Sequence, residues 1–521
     1  MPDHKQPRLF TRREFLKYAS AGTVSASFLP TLLSCAKEEM NFDNVVVLIG
    51  DDHAAHAVGC YGNEIIQTPH IDGMAYEGVR FEHAYANAPL CSASRQSILT
   101  GRYPHAAGVT LLRTPFPPEQ VTIAEHLNEY GFSTGLIGKA HFNNNLSHGF
   151  DHRIDGGDYR EWLQENPPEP PPEDMETRPP WKPFRDPARI WLNADMLPSE
   201  HYDEESEGTY YANRAIDFIE QNRDGRFCMF VGFHEPHSPF NFPIEYAGKY
   251  DPEDMSLPEG SPEDDRWIPL EFQDLTEEDK RGIIASYYTS VEYLDKNVGM
   301  ILNAIEEQGL SEKTLVIYIG DQGYLLGHHK RFEKHMMWEE AIRSPLIMYG
   351  GSSLGSGQQV FTELTEFIDL TPSVLDMLRV PALESVQGKS LFPLITGKSE
   401  NHKDMVFSEF LVDNKAMVRN DTWKYIYTSG KRDLGQGYAT GNPPPGITHR
   451  LYNLEEDPDE HTDVSHRPEN QDILLQMQDA MLKIFKETHP DADNLPEGLN
   501  REEQLVWFCV PVEDNPNLEA Q

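Results

Sequence analysis

NVVVLIG, Asn44 to Gly50, carries apolar side chains on both faces of an extended chain, the pattern of a strand buried on either side in a parallel sheet. GFSTGLIG (Gly131 to Gly138), FCMFVGF (Phe227 to Phe233) and TLVIYIG (Thr314 to Gly320) repeat it. Between them, the segments around Tyr211 to Gln221 and Ile284 to Gln308 space their apolar residues as helices do. This alternation, from residue 44 to about 395, predicts an α/β domain whose large, mainly parallel sheet is flanked by helices. Beyond it, AMVRNDTWKYIYTS and RLYNLEEDP read as antiparallel strands and Ile473 to Phe485 as an amphipathic helix. Residues 396–490 are therefore expected to form a smaller α+β subdomain, and the acidic, Pro/Asn-rich 491–521 a tail or wrapping arm. Pro167 to Pro187 is too rich in proline for helix or central sheet. It reads as a surface excursion over a site mouth or as a plain connecting loop.

Charge narrows the partners. Lys+Arg number 44 against 85 Asp+Glu, a net charge of -41. Nucleic acid and anionic membrane surfaces are repelled by such a chain. The excess reads as a solubility adaptation, and an anionic substrate would need positive charge gathered in its site. Residues 1–40 read as an address rather than as fold: TRREFLK, Thr11 to Lys17, resembles a twin-arginine export signal. LLSC, Leu32 to Cys35, resembles a lipobox whose cysteine, Cys35, becomes lipidated. The expected partner is the twin-arginine export machinery, and the expected location the periplasm or a lipid anchor at the cell envelope. The five cysteines, Cys35, Cys60, Cys91, Cys228 and Cys509, contain no CxxC pair. They make neither a disulfide scaffold nor a zinc site.

Polar residues follow each predicted strand directly: Asp51 and Asp52, then Lys139 and His141, then His234 and His237, then Asp321 and Gln322. Carboxyl ends of parallel strands share one edge, where ligands bind, so these residues are expected to meet in one crevice. Asp51, Asp52, Asp321 and Gln322 are hard oxygen donors suited to Ca²⁺ or Mg²⁺ rather than to zinc or copper. Cys91 stands at the start of the helix-like SASRQSILTG, with Arg95 four residues on. Helix-start N–H groups, Arg95 and Lys139 together suit a tetrahedral anion beside a divalent cation. The cysteine itself reads as a thiolate nucleophile, a metal ligand, a disulfide half or a small buried residue, and no partner base favours the first. His328, His329 and His335 read as pocket residues or as a solvated loop; Trp181, Trp191 and Trp338 read as core.

CSASR fits the C-x-[P/A]-x-R signature of the type I sulfatases, and LTGRYPHAAGV continues that pattern. TPHIDGMAYEGVRFEHAYA, GKAH, HEPHSPF, DQGYLLGHH and RLYNLEEDPDE are similar to further blocks of the family in the same order. The resemblance spans roughly residues 44–465 and is greatest to the branch of iduronate-2-sulfatase and bacterial polysaccharide sulfatases. It implies an alkaline-phosphatase-like α/β sandwich with residues 41–395 as catalytic domain. It further implies that Cys91 is oxidised by a sulfatase-maturing enzyme to formylglycine (3-oxoalanine), whose hydrate attacks a sulfate ester. By matched position, Asp51, Asp52, Asp321, Gln322 and residue 91 are the implied ligands of Ca²⁺, with Mg²⁺ the lesser candidate. Arg95 and Lys139 hold the hydrate, His141 is the base that expels sulfate, and His237 and Lys334 bind sulfate and protonate the leaving oxygen.

The sequence departs from the family pattern in Ala93, where many relatives have proline, and in GKAH, which lacks a tryptophan between lysine and histidine. The expectation is thus hydrolysis of a sulfated carbohydrate. Two other readings stand beside it: a phosphonate or phosphate ester hydrolase of the same superfamily, and a silent binder of sulfated glycans.

Overall fold

The computed structural model describes residues 40, 42–142, 146–180, 182–183, 186–355, 357–429, 440–442 and 446–513. The twin-arginine motif, Cys35 and Trp181 lie outside the described residues. In β1 (Asn44–Gly50), Val45, Val47 and Ile49 enter one apolar cluster while Val46 and Leu48 enter another. Successive side chains of a strand point to opposite faces, so both faces of this sheet are covered.

The further strands are β2 (Val79–Phe81), β3 (Ser133–Gly138), β4 (His152–Ile154), β5 (Phe227–Gly232), β6 (Thr314–Gly320), β7 (Leu346–Tyr349) and β8 (Gln359–Phe361). They join β1 in one eight-stranded sheet, ordered β8-β2-β7-β6-β1-β5-β3-β4. β7 alone runs antiparallel to its neighbours, and β1 lies at the centre, parallel to β5 and β6. This is the expected mainly parallel sandwich.

Among the helices that bear on the sheet are α1 (Pro69–Glu77), α2 (Cys91–Thr100), α3 (Glu207–Asn222), α4 (Glu277–Glu307) and α5 (Leu370–Met377). α1, α3 and α4 pack Met74, Phe218 and Val298 against the Val46 face. α2 and α5 pack Ile98, Leu99 and Val374 against the other. α4 begins well before its apolar spacing suggests. Its start is fixed by a capping box in which Thr276 and Asp279 satisfy each other's backbone N–H.

The C-terminal subdomain is an antiparallel meander of β9 (Val406–Phe410), β10 (Lys415–Arg419), β11 (Trp423–Thr428) and β12 (Thr448–Asn453). α6 (Gln471–Thr488) lays Leu474, Met477, Met481 and Phe485 into its apolar cluster. The segment read as a tail or arm contains α7 (Arg501–Phe508), whose Leu505 and Phe508 enter the same cluster. Further on, the Glu513 carboxylate accepts the Thr110 and Leu111 N–H groups, each at 2.7 Å. Cys60, Cys91, Cys228 and Cys509 are free and buried.

Candidate active site

The carboxyl ends of β1, β3, β5 and β6 meet at one edge because the strands are adjacent and parallel. Carboxylate oxygens of Asp51, Asp52 and Asp321 there lie within 4.8 Å of one another, all three residues buried. Asp51 is anchored by its N–H, which donates to the Glu235 carbonyl after β5 at 3.0 Å. Asp52 adopts a left-handed backbone with φ 63°, and its N–H donates to Asp321 Oδ1 at 3.0 Å. That turn lets two consecutive aspartates face one centre.

Cations surround these acids. Lys139 Nζ bonds Asp51 Oδ2; Lys334 Nζ bonds Asp52 Oδ1 at 2.6 Å and lies 3.7 Å from Cys91 Sγ. Arg95 donates through Nε to Asp321 Oδ2 and through Nη1 to the Lys139 carbonyl, both at 2.7 Å. The Gln322 amide bonds Asp52 Oδ1 through Nε2. Two buried acceptors, Asp51 Oδ1 and Gln322 Oε1, have no hydrogen-bond partner among the described residues. Unpaired buried oxygen acceptors beside three carboxylates are the donor set of a hard divalent cation.

Cys91 is the first residue of α2 and only 3% exposed. Burial pushes its thiol pKa up, against the pull of Lys139 and Lys334; an unmodified thiol here stays protonated at neutral pH and is a poor nucleophile. α2 is locked onto the β6 loop by Ser94, whose hydroxyl donates to the Asp321 carbonyl at 2.5 Å.

Burial also lowers His141 well below the usual histidine range, with Lys139 adding to it, and its Nδ1 has no partner among the described residues. His237 Nδ1 donates to the Ser238 carbonyl at 2.7 Å, because a carbonyl can only accept. Its titrating nitrogen is therefore Nε2, 3.8 Å from Asp52 Oδ2. Burial, with Lys334, lowers this imidazole to about 4, although Asp52 opposes the shift. Asp51 stays well below the carboxylate range: Lys139, His237, Lys334 and Arg95 outweigh the burial that would raise it. Asp321 is raised to about 7 by burial and by its two acidic neighbours, against Arg95.

The residues singled out after the four strands, His234 excepted, therefore converge with Cys91, Arg95 and Lys334. His234 stands apart from the carboxylates, its Nδ1 bonded to Glu207 Oε2 at 2.8 Å. The 328–335 segment is not a solvated loop: His329 and His335 are buried, His329 stacked on Trp338 with ring centroids 3.9 Å apart. Trp191 and Trp338 are core. Ser94 and Glu207 escaped the sequence reading because their partners are distant in sequence and on other elements.

The family profile described as Sulfatase matches residues 43–380, and that of the N-sulphoglucosamine sulphohydrolase C-terminal region matches residues 327–487. The chain is 25% identical to an N-acetylglucosamine-6-O-sulfatase of Bacteroides thetaiotaomicron, over 88% of this chain and 90% of that protein. Its fold is similar to that of the phosphonate monoester hydrolase of Agrobacterium radiobacter, at TM-score 0.72 and 20% identity over 85% of this chain and 96% of that one. It is also similar to a protein solved in complex with its substrate D-glucosamine-2-N,6-O-disulfate, at TM-score 0.68 and 22% identity over 86% and 99%.

Proposed function

The chain belongs to the sulfatase family of sulfuric ester hydrolases, and from that premise we propose that it removes sulfate from a sulfated carbohydrate, using Cys91 matured to formylglycine. The observation that carries the reading is the buried junction of Cys91, Lys334 and the three aspartates. In it, Asp51, Asp52, Asp321 and Gln322, with residue 91, would hold a divalent cation, whose hard oxygen donors suit the Ca²⁺ that the family resemblance implies. A bound cation supplies Lewis-acid polarisation of sulfate and nucleophile oxygens.

The rest is done by side chains. Residue 91, as the hydrated aldehyde, presents a hydroxyl beside Lys334 and Lys139, whose charges favour its ionised form. Arg95, fixed on Asp321 and on the Lys139 carbonyl, orients that corner. His237 Nε2 and Lys334 Nζ face the sulfate position from the Asp52 side. Lys334, kept protonated by Asp52 against its burial, can give a proton to the departing sugar oxygen, and His237 can do so from its imidazolium form, the minor one at neutral pH. His141, neutral and with Nδ1 unpartnered among the described residues, takes the proton whose removal frees sulfate from residue 91.

A carbohydrate substrate is supported by the similar N-acetylglucosamine-6-O-sulfatase and by the glucosamine disulfate complex of a structural relative. The likeness to a phosphonate monoester hydrolase favours the second reading, phosphonate or phosphate ester cleavage at the same centre. Matched sulfate and phosphate esters separate the two. TRREFLK and LLSC support export through the twin-arginine pathway to the periplasm, or an envelope anchor at Cys35; fractionation of cells producing wild type and Cys35→Ala tests this.

The direct experiment is peptide mass spectrometry across Cys91 on protein co-produced with a sulfatase-maturing enzyme, beside a sulfate-ester assay. An aldehyde that rises with activity is expected. An intact thiol in fully active protein would sink the formylglycine mechanism.

A further inference from the structure

The Arg266 and Arg450 guanidinium carbons lie 5.0 and 5.2 Å from the ring centroid of Trp267. Among the described residues neither guanidinium donates a hydrogen bond or meets a carboxylate. That is unusual company in a chain with 85 acidic and 44 basic residues, where a surface arginine has acids in abundance. Stacking on an indole fixes a guanidinium while leaving its N–H edge free for an oxyanion.

Arg450 and Trp267 also line a cavity shared with Arg331, Glu333, His335 and Lys415. Its other cations are already matched: Arg331 pairs with Glu333, and Lys415 with Asp413 at 2.9 Å. Among the described residues, the unmatched charge of this cavity is that of Arg450. The enclosed space is only about 30 Å³, enough for a substituent or a water or two but not for a sugar ring. A ring therefore stays at the mouth. Glu333 and His335 flank Lys334 in the chain, and consecutive Cα atoms are about 3.8 Å apart. The cavity wall thus continues directly from a side chain that bonds Asp52.

We propose that Arg450 and Arg266, held on Trp267, form a subsite for a second anionic substituent of the glycan, a carboxylate or a further sulfate, beside the ester being cleaved. This deepens the desulfation reading and rests on it for the nature of the ligand.

The test compares wild type, Arg450→Gln, Arg266→Gln and the double variant on three esters. These are galactose 6-sulfate, a monosulfated disaccharide containing a uronate, and glucosamine 2-N,6-O-disulfate. The expected result is a tenfold or greater loss of kcat/KM on a doubly charged ester relative to galactose 6-sulfate, expressed in KM. Loss on the uronate ester alone identifies a carboxylate, and loss on the disulfate alone a second sulfate. An equal fall on all three, or none, overturns the subsite. Arg266 is exposed, so its replacement leaves the core untouched. If wild type turns over none of the esters, the desulfation reading fails, and calorimetric titration with a heparin tetrasaccharide decides the subsite separately. Binding weakened at least tenfold in the double variant upholds it; equal binding, or no binding by wild type, overturns it.

Discussion

His237 is the side chain whose chemistry is most sharply defined by its surroundings. With Nδ1–H committed to the Ser238 carbonyl, only Nε2 can carry a proton to a leaving oxygen. Loss of a general acid costs about 10²–10⁴-fold, and the cost depends on how badly the leaving group needs the proton. His237→Ala is therefore expected to lose about 10²-fold or more in kcat on a sugar sulfate and much less on 4-nitrophenyl sulfate, whose phenolate leaves unaided. Steady-state kinetics on both esters check this, and equal losses would remove His237 from proton transfer. The meeting of Cys91, Arg95 and the aspartates was legible in the sequence because each stands next to a strand end or in the first turns of a helix. Glu207 was not: it meets His234 from α3, and no periodicity or spacing connects the two.

Strand ends set how closely these groups approach. A Cβ at Gly232 would sit 2.2 Å from the Lys139 carbonyl oxygen and 2.7 Å from Arg95 Nη1. The absence of a side chain there lets β3 and β5 close, with Lys139 N–H donating to the Gly232 carbonyl at 2.7 Å. Gly232→Ala is expected to displace both cations and to lower kcat about 10²-fold, the cost of misplacing groups by about 1 Å. Unchanged kcat in a folded variant would refute that coupling.

α4 holds α1 by a different device. Asp295 accepts the Ile71 N–H at 2.8 Å and the His70 N–H at 3.1 Å. Burial, with Asp72 and Glu292 adding to it, raises its pKa to about 8. An unfolded aspartate ionises near 3.9, so between these values the folded chain holds the extra proton. Its contribution is full below about pH 4 and is lost as pH rises to about 8. Asp295→Asn lacks that loss, so its stability relative to wild type is expected to increase from pH 5 to pH 8.5 in urea titrations. A constant difference would mean that Asp295 does not titrate there. The strands were readable as apolar runs, whereas the start of α4 was hidden because a polar capping box, not apolar spacing, defines it.

Across the chain, a charge of -41 faces an anionic substrate. At low salt the long-range field repels a sulfated polymer, while the cations of the site act only at close range. Raising sodium chloride from about 10 to about 150 mM shortens the Debye length from roughly 30 to 8 Å. It is therefore expected to increase kcat/KM on a sulfated polysaccharide, with little change on 4-nitrophenyl sulfate. A monotonic fall on the polymer would show that site cations, not net charge, govern encounter. The mainly parallel sheet and the small second sheet were both apparent from the pattern of apolar runs. The docking of α7 was not, because its few apolar residues sit in an acidic, proline-containing stretch.

The sealing of Cys91 has a consequence in time. Ser94 and Arg95 close α2 onto Asp321, and 226 residues separate Arg95 from that aspartate. At about 5–20 residues per second, a ribosome needs on the order of 10–50 s to deliver the second wall after the first. On the formylglycine reading, this interval is when a maturing enzyme can reach the nascent peptide. Translation speed through the middle of the message then sets the fraction of molecules that become active.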